Sequence, residues 1–284
     1  LGQIMANWKD STFVAGNIGN PYTSIVPETR EDSVIVAELS SFQLETTKDF
    51  HPSVSALLNV TPDHLDRHGT MENYVDAKAK IFANQGEGDY FIYNADDEIC
   101  SSVASRCSAV TVPFSRRREL EFGAFVRDGS ITVADGAGKT EICRADELQI
   151  PGLHNLENAL AAAAVAYFSG IDAASIASAL REFPGVSHRI ERCGEKNGVA
   201  FVNDSKGTNP DAAIKAVNSF RDIVLIAGGY DKGSEYGELI GSFPGRVKQL
   251  VLLGATAGKI KAAAERSGFT AVHTAGGMEE AVRL

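Results

Sequence analysis

The sequence is poor in cysteine and has no long apolar run, and each absence excludes a class of protein. Its four cysteines are scattered and form no Cys-x-x-Cys pair. This argues against a disulfide framework or a structural zinc site and favours a reducing compartment. No apolar run reaches the roughly 20 residues that a membrane-spanning helix needs, and no export signal opens the chain. We therefore expect a cytoplasmic protein with no membrane partner.

Positive charge is also scarce. The chain carries 27 Lys and Arg against 37 Asp and Glu, a net charge of −10, with no basic stripe. A nucleic-acid partner is therefore not expected, although a few lysines could still hold a phosphate. The 284 residues, 44% of them hydrophobic, suffice for two domains that each bury a core.

Short β-branched runs alternate with helical stretches, which is typical of a mostly parallel sheet covered by helices. Buried strands are predicted at residues 34–37, 56–60 and 90–93. An Asp-Gly turn within residues 124–133 predicts a hairpin, which we interpret as a small antiparallel patch appended to the main sheet. Helices are predicted at residues 155–169 and 173–182.

A Phe-Pro-Gly break at residues 183–185 predicts a boundary between domains 1–184 and 185–284. After it, a strand-loop-helix unit repeats three times, and a fourth short strand precedes the last helix. The four strands are predicted at residues 199–202, 223–227, 249–253 and 270–273. The expected fold class is α/β: a central, mostly parallel sheet domain followed by an incomplete Rossmann-like domain. Both chain ends resemble helix interiors, so we expect a fragment.

Ligands of open parallel sheets collect beyond the carboxyl ends of the strands, so the polar residues that end the apolar runs are candidates. Glu38 follows the first strand and suits Mg²⁺, although a solvated glutamate is the alternative. His64 follows the second strand and can bind metal or phosphate or cap a turn. Lys78 lies in a stretch predicted to be helical. The alternative to a functional role is that its side chain lies on the solvated surface of that helix.

Two asparagines begin the alanine-rich helix. The amides of Asn155 and Asn158 suit nucleotide recognition, because an amide meets both a donor and an acceptor on adenine. Helix capping is the alternative, and it suits Asn155 better than Asn158.

Two polar loops follow strands in the second domain. Residues 203–209 contain Asp204, whose carboxylate can bind ribose hydroxyls, and Lys206, which can meet an anion. Residues 228–233 contain glycines that permit close ligand approach, together with Lys232, which can bind a carboxylate.

Other patterns are set aside. Residues 136–140 end in Gly-Lys-Thr. A phosphate-binding loop needs a further glycine five residues before Gly138, but Val133 occupies that position, so a hairpin turn is predicted there. Residues 254–259 also lack the glycine spacing of a phosphate-binding loop, and a helix is predicted to begin there. His51, His68 and His273 have no dense polar motif around them, and we expect them on the surface.

Taken in order, the motifs resemble those of the Mur ligase family over nearly the whole chain. The matching segments are residues 16–19, 38–45, 61–67, 74–82, 154–158, 187–189, 203–209 and 228–233. Residues 38–45 and 203–209 are similar to those of the branch that adds D-glutamate. The resemblance implies an ATP-dependent, ADP-forming ligase of peptidoglycan precursor synthesis, with UDP-N-acetylmuramoyl-L-alanine and D-glutamate as substrates and an acyl phosphate intermediate.

The resemblance also implies a Mg²⁺ site. Glu38 and His64 would hold the ion together with Lys78, carbamylated so that it becomes an anionic ligand. Lys78, not Lys80, occupies the motif position.

The remaining implied roles are in binding. Asn155 and Asn158 would contact adenine, Arg189 the ATP phosphate and Asp204 the ribose. Asn17 and Ser40 would contact the UDP-sugar substrate or the transferring phosphate, and Lys206, Thr208 and Lys232 would line the D-glutamate side.

Parts of the family pattern lie outside the sequence. The phosphate loop and the UDP-binding domain are expected before Leu1, and a D-glutamate-gripping segment after Leu284. We therefore expect little ligase activity from the 284 residues alone, and a monomer. The alternatives are another amino-acid-adding Mur ligase, a folylpolyglutamate synthetase-like protein, and a nucleotide-binding module without catalysis.

Overall fold

The structure, a computed structural model, describes residues 1–231 and 233–284. It divides into two compact units. The first comprises Leu1–Gln149 and Asn155–Phe183, and the second comprises Ile150–His154 and Pro184–Leu284. Each unit has its own apolar core. Within the described residues, none of the helices has the length and apolar character needed to cross a membrane.

Strands and helices alternate along the first unit. Its strands are β1 (Thr12–Gly16), β2 (Val34–Glu38), β3 (Val54–Leu57), β4 (Tyr90–Asn94), β5 (Val110–Ser115), β6 (Gly123–Arg127), β7 (Ser130–Ala134) and β8 (Lys139–Arg144). Its helices are α1 (Gly2–Trp8), α2 (Tyr22–Ile25), α3 (Ser41–Glu45), α4 (Leu65–His68), α5 (Met71–Ala79), α6 (Glu98–Ala104), α7 (Leu153–Phe168) and α8 (Ala173–Glu182). Short 3₁₀ turns lie at Val26–Glu28, Lys80–Phe82 and Ala145–Glu147.

The main sheet has six strands in the order β3-β4-β5-β6-β7-β8. The pairs from β3 to β6 are parallel, and those from β6 to β8 are antiparallel. Asp128 and Gly129 turn the chain between β6 and β7 with φ of +50° and +81°, as a two-residue hairpin requires. The predicted mostly parallel sheet with an appended antiparallel patch is therefore confirmed. Strands β1 and β2 form a separate parallel pair.

Helices cover both faces of the six-stranded sheet. Adjacent residues of a strand point to opposite faces, and Phe91 and Ile92 of β4 accordingly belong to different cores. Ile92 packs in the core that includes residues of α1, α7 and α8, whereas Phe91 packs in the core that includes residues of α5 and α6. The carboxyl ends of the strands are left for the loops that carry polar residues.

Helix α8 shows how local sequence sets an element. Asp172 caps its first turn by accepting from the Ser175 N–H at 2.9 Å. Ile176 and Leu180, one turn apart, are 0% and 8% exposed. Burying two such side chains stabilises the helix by roughly 1.5–3 kcal/mol each. The predicted bounds, residues 173–182, match the observed helix.

The second unit is built on a small parallel sheet. Its strands are β9 (Glu191–Lys196), β10 (Val199–Asn203), β11 (Ile223–Gly228), β12 (Val247–Leu253) and β13 (Val272–Thr274). Its helices are α9 (Pro210–Ser219), α10 (Gly237–Gly241), α11 (Ala257–Arg266) and α12 (Met278–Arg283). Strands β11, β12 and β13 pair in parallel in that order, and helices α9, α10 and α11 contribute to the core against them.

Strand β10 has a different partner from the one expected. The strand-loop-helix order predicted a strand of the parallel sheet, but β10 forms an antiparallel pair with β9. The turn between them is Asn197-Gly198, with φ of +54° and +77°. Asn-Gly is the strongest short hairpin signal, so the sequence did contain the evidence for this pairing.

Candidate active site

Asn17 and Glu38 lie side by side at the carboxyl ends of β1 and β2. The strand register places Gly16 opposite Glu38. The Asn17 backbone N–H donates to the Glu38 carbonyl at 2.7 Å, and the Asn17 side-chain amide donates to Glu38 Oε1 at 3.5 Å. Glu38 is exposed, so its carboxylate is open to an approaching cation.

The close approach of these two strand ends depends on a glycine. Gly16 has φ of +115°, a conformation that residues with a side chain rarely adopt. A Cβ atom at this position would lie 2.2 Å from the Glu38 carbonyl oxygen. Any larger residue would therefore push Glu38 away from its place.

Ser40 caps the helix that follows. Its Oγ accepts from the Gln43 N–H at 3.3 Å, and Gln43 Oε1 accepts from the Ser40 N–H at 2.9 Å. This capping box accounts structurally for a serine at this position. The contact of Ser40 with substrate stays a prediction.

Lys78 is a half-buried amine in an acidic setting. Its Nζ lies 5.0 Å from the centre of the Tyr74 ring. Burial lowers the pKa of Lys78, and the negative charges of Glu38 and Asp63 partly oppose that shift. Lys78 is therefore partly buried and is not the fully solvated lysine of the alternative prediction.

His64 is held at the start of α4. It has φ of +52°, and its ring centre lies 4.9 Å from that of Phe42. Its Nε2 lies 3.6 Å from Asp63 Oδ2, and its side chain is 49% exposed. Asp63 was not among the predicted site residues, although its place directly before His64 and after a proline was a usable signal.

These groups fit Mg²⁺ in one specific way. Within residues 1–231 and 233–284, no group of three or more His, Cys, Asp or Glu side chains could hold a metal ion. Mg²⁺ needs no such cage, because it takes one or two carboxylates and completes its shell with water and phosphate oxygens. Glu38 offers one exposed carboxylate. The donor set therefore fits an ion shared with phosphate, and does not fit a closed protein cage.

His68 is not on the surface, and the prediction that placed it there is wrong. It is 7% exposed. Its Nε2 lies 3.0 Å from Ser41 Oγ, and its Nδ1 lies 3.2 Å from Glu45 Oε1. Both partners are on α3, more than twenty residues away in sequence, so only the tertiary structure brings the three together. His51, by contrast, is exposed and contacts Asp89 at 2.7 Å.

Asn155 and Asn158 are adjacent on α7. The Asn158 amide donates to Asn155 Oδ1 at 3.3 Å, and Asn158 is exposed. The helix begins at Leu153, so Asn155 lies within the first turn and is not the capping residue that the sequence suggested. The structure brings the two predicted adenine contacts together on one helical face.

A polar network that sequence analysis missed connects the ends of β4 and β5 to this helix. Ser115 Oγ, fully buried, donates to Asp96 Oδ1 at 2.7 Å. Arg116 donates through its backbone N–H to Asp96 Oδ2 at 3.0 Å and through Nε to Glu157 Oε1 at 2.5 Å. Glu157 lies between the two asparagines in sequence, so this network fixes the start of α7 from the sheet edge.

Asp204 and Arg189 belong to one charged cluster in the second unit. Partial burial raises the pKa of Asp204, while the Ile190 N–H and the charges of Arg189 and His154 act in the opposite direction. Ile190 donates its backbone N–H to Asp204 Oδ1 at 3.1 Å. One carboxylate oxygen therefore holds the backbone of the segment that carries Arg189.

Lys206 and Thr208 of the second unit lie on one exposed loop. Lys206 donates its backbone N–H to the His188 carbonyl at 2.9 Å, and Thr208 donates to the Lys206 carbonyl at 3.0 Å. Both side chains are exposed. Lys232 lies outside the described residues.

The Gly-Lys-Thr sequence at residues 136–140 is a hairpin turn, as predicted. It joins β7 to β8, and Asp135 Oδ1 accepts from the N–H groups of Ala137 and Gly138. The Lys139 ammonium lies 3.2 Å from Glu121 Oε1. A lysine paired in this way on an antiparallel hairpin has no role in a phosphate loop.

Two protein families match the chain in sequence. The Mur ligase middle domain matches residues 5–166, and the Mur ligase, glutamate ligase domain matches residues 188–284. The UDP-N-acetylmuramoylalanine–D-glutamate ligase of Thermoanaerobacter sp. (strain X514) is 51% identical over 286 residues, covering 100% of this chain and 63% of that protein. The ligase of the same name from Clostridioides difficile (strain 630) is 47% identical over 284 residues, with 100% and 63% covered. The chain thus spans 63% of the length of these relatives.

Solved structures share the fold at low sequence identity. MurF from Acinetobacter baumannii superposes with a TM-score of 0.72 at 17% identity, covering 96% of this chain and 64% of that one. MurF ligase from Thermotoga maritima, in complex with ADP, superposes with a TM-score of 0.66 at 20% identity, covering 96% and 72%. At such identities the similarity concerns the fold alone.

Proposed function

Because the chain belongs to the Mur ligase family, we propose that it provides the nucleotide, Mg²⁺ and part of the amino-acid machinery of an ATP-dependent ligase. The proposed reaction adds D-glutamate to UDP-N-acetylmuramoyl-L-alanine. The observation that carries the proposal is Lys78: a half-buried lysine with a lowered pKa, influenced by the charges of Glu38 and Asp63. The relatives at 51% and 47% identity are named for this reaction.

The two parts of the chain are assigned different tasks in this proposal. Residues 1–184 form the ATP and Mg²⁺ domain, and residues 185–284 form the amino-acid-binding domain. Support comes from the positions of Glu38, His64 and Lys78 in the first part and of Lys206 and Thr208 in the second.

Glu38, His64 and a carbamylated Lys78 are proposed to hold Mg²⁺. The Lys78 Nζ lone pair attacks the carbon of dissolved CO₂, a C–N bond forms, and the nitrogen loses one proton to solvent. The product carries a carboxylate, which supplies the second anionic ligand that the cation prefers. When bound, Mg²⁺ supplies charge neutralisation at the phosphate oxygens.

The nucleotide contacts are assigned to four residues. Asn155 and Asn158 contact adenine through their amides. Arg189 contacts an ATP phosphate, since a guanidinium matches phosphate geometry, and Asp204 accepts from the ribose hydroxyls. The network through Arg116 keeps the two asparagines in place.

The reacting groups are assigned to the remaining residues. Asn17 and Ser40 orient the UDP-sugar substrate or the transferring phosphate, and Lys206, Thr208 and Lys232 attract D-glutamate.

The L-alanyl carboxylate attacks the γ-phosphorus of ATP and ADP leaves, giving an acyl phosphate. The D-glutamate amine then attacks the acyl carbon, loses a proton and expels inorganic phosphate. Positioning and charge neutralisation provide most of the acceleration in such reactions.

An amino-acid panel tests the proposed reaction. The full-length protein that contains this chain is supplied with ATP, Mg²⁺ and UDP-N-acetylmuramoyl-L-alanine, and ADP release is measured with single amino acids. We expect D-glutamate to support release at least tenfold faster than L-glutamate, L-alanine, L-lysine or diaminopimelate. Equal rates with several amino acids, or a preference for another one, would refute the assignment.

Replacing Asn158 with alanine is expected to raise the KM for ATP about tenfold and to change kcat less than twofold. The reason is the loss of one adenine hydrogen bond, worth on the order of 1.4 kcal/mol in both ground and transition states. Steady-state kinetics with varied ATP measures the effect. Ser178→Ala, at an exposed position of α8, is the matched control. An unchanged KM for ATP in a folded Asn158→Ala protein removes Asn158 from the nucleotide site.

A further inference from the structure

A row of aromatic rings runs from His64 to Lys78. The ring centres of His64 and Phe42 are 4.9 Å apart, and those of Phe42 and His68 are 5.5 Å apart with the planes nearly parallel at 9°. The His68 and Tyr74 centres are 5.2 Å apart. The Lys78 Nζ atom lies 5.0 Å from the Tyr74 centre. The two proposed Mg²⁺-binding residues thus form the two ends of a continuous series of contacts.

His68, at the middle of this row, is the ring with the most restricted position. Its side chain is 2% exposed, and both ring nitrogens have partners on α3, Ser41 Oγ at 3.0 Å and Glu45 Oε1 at 3.2 Å. Residues 41 and 45 are one helical turn apart, so they present their side chains on one face. An imidazole bound at both nitrogens cannot rotate without breaking a buried hydrogen bond.

The carboxylate that holds His68 is itself held. Glu45 Oε2 accepts from Arg67 Nη2 at 3.0 Å, and the Glu45 carbonyl accepts from Lys80 Nζ at 2.6 Å. The pair therefore joins three segments: α3, which follows Glu38 in sequence, α4, which begins after His64, and the end of α5. Helices α3 and α4 thus follow Glu38 and His64 closely in sequence, and α5 contains Lys78.

The alternative explanation is that His68 only fills the core. A core filler needs volume and few polar partners, and an apolar residue would serve. His68 instead has two polar partners and stacks face to face on Phe42, the ring that also contacts His64. This arrangement constrains the orientation of the His68 ring in addition to filling space in the core.

We propose that His68 is a positioning residue: anchored by Ser41 and Glu45, it fixes the row Phe42–His68–Tyr74 and thereby sets the distance between His64 and Lys78 for Mg²⁺ binding. This inference rests on the proposed function, because it assigns a purpose to the geometry of the proposed metal site. The His68 side chain is buried, so the role assigned to it is exerted through its neighbours.

The test compares His68→Ala with His51→Ala in the full-length protein that contains this chain. His51 is the matched control, since it too is an imidazole paired with a carboxylate, Asp89 at 2.7 Å, but it lies outside the row. Circular dichroism and thermal melting establish that each variant is folded. Two quantities are then measured: the Lys78 carbamate signal in ¹³C-bicarbonate by ¹³C NMR, and the Mg²⁺ concentration that gives half-maximal ADP release.

We expect His68→Ala to lower carbamate occupancy at least threefold and to raise the half-maximal Mg²⁺ concentration by roughly tenfold or more, as is typical when a residue supporting a metal ligand is lost. The KM for D-glutamate should stay within twofold. His51→Ala should leave all three values within twofold. A general loss of packing would not separate Mg²⁺ dependence from D-glutamate dependence in this way.

A second variant covers the case in which His68→Ala does not fold. His68→Phe keeps a ring of similar size but loses the hydrogen bond with Ser41 and the contact with Glu45, and we expect it to raise the half-maximal Mg²⁺ concentration at least threefold. If His68→Phe, or a folded His68→Ala, shows the wild-type Mg²⁺ dependence, the positioning role is overturned. If the wild-type protein shows no carbamate signal, the proposed modification of Lys78 fails, and the Mg²⁺ measurement alone decides the role of His68.

Discussion

Lys78→Ala is expected to lower D-glutamate-dependent ADP release by about 10³-fold, a loss typical of removing one group that stabilises transition-state charge. The physical reason is the loss of the carbamate, which is proposed to supply the second anionic ligand beside Glu38. Release of ADP from the full-length protein, with ATP, Mg²⁺ and both substrates, measures the effect. Lys139→Ala is the control, because Lys139 lies on the β7–β8 hairpin and is paired with Glu121. The activity of this variant should stay within twofold of the wild type.

A rescue experiment separates the carbamate from the bare amine. If the missing group is a carboxylate, then formate or acetate added to the Lys78→Ala protein should restore activity by at least tenfold. Simple alkylamines at the same concentration should not. Rescue by amines alone, or wild-type activity without any addition, would show that Lys78 acts as a cation or plays no part.

The pH dependence of carbamate formation follows from the direction of the pKa shift. Burial lowers the pKa of Lys78, so the neutral amine that attacks CO₂ appears at lower pH than on an exposed lysine. Carbamate occupancy should rise as pH increases through the lowered pKa and fall as acid protonates the amine. A ¹³C NMR titration in ¹³C-bicarbonate records this, and an occupancy with no dependence on pH would contradict the assignment.

Local sequence signals were sufficient for some elements and insufficient for others. Helix α8 has its cap, its apolar spacing and its stop within twelve residues, and its bounds were predicted correctly. The β6–β7 hairpin has its Asp-Gly turn between its two strands. For β10, the strand was predicted but its partner was not, because strand order does not specify pairing, and the Asn197-Gly198 turn that did specify it was overlooked.

The candidate site divides in the same way. Glu38, His64 and Lys78 could be predicted as site residues from the sequence because each belongs to a short motif. His68 could not be predicted in this way, because its burial depends on contacts with α3. Its partner Ser41 on that helix lies 27 positions earlier in the sequence. Arg116 is paired with Glu157, 41 positions away. Residues that position others are thus defined by tertiary contacts, which spacing along the chain does not reveal.

Gly16→Ala is expected to lower the free energy of unfolding of the chain by about 3 kcal/mol, combining backbone strain with overpacking. The added Cβ would lie 2.2 Å from the Glu38 carbonyl oxygen, at a φ of +115°, so β1 and β2 would have to separate at their carboxyl ends. Urea unfolding followed by circular dichroism measures the change. Gly86→Ala is the control, because a Cβ there meets nothing within 4 Å, and its free energy of unfolding should change by about 0.5 kcal/mol or less.

The same substitution connects stability to the proposed chemistry. The contact that fails in Gly16→Ala is with the backbone of Glu38, the residue whose carboxylate is proposed to bind Mg²⁺. Asn17, the next residue, would also lose its 2.7 Å hydrogen bond to the Glu38 carbonyl. At a temperature where the full-length variant remains folded, half-maximal ADP release should therefore need roughly tenfold more Mg²⁺. A folded variant with wild-type Mg²⁺ dependence would show that the position of Glu38 does not control metal binding.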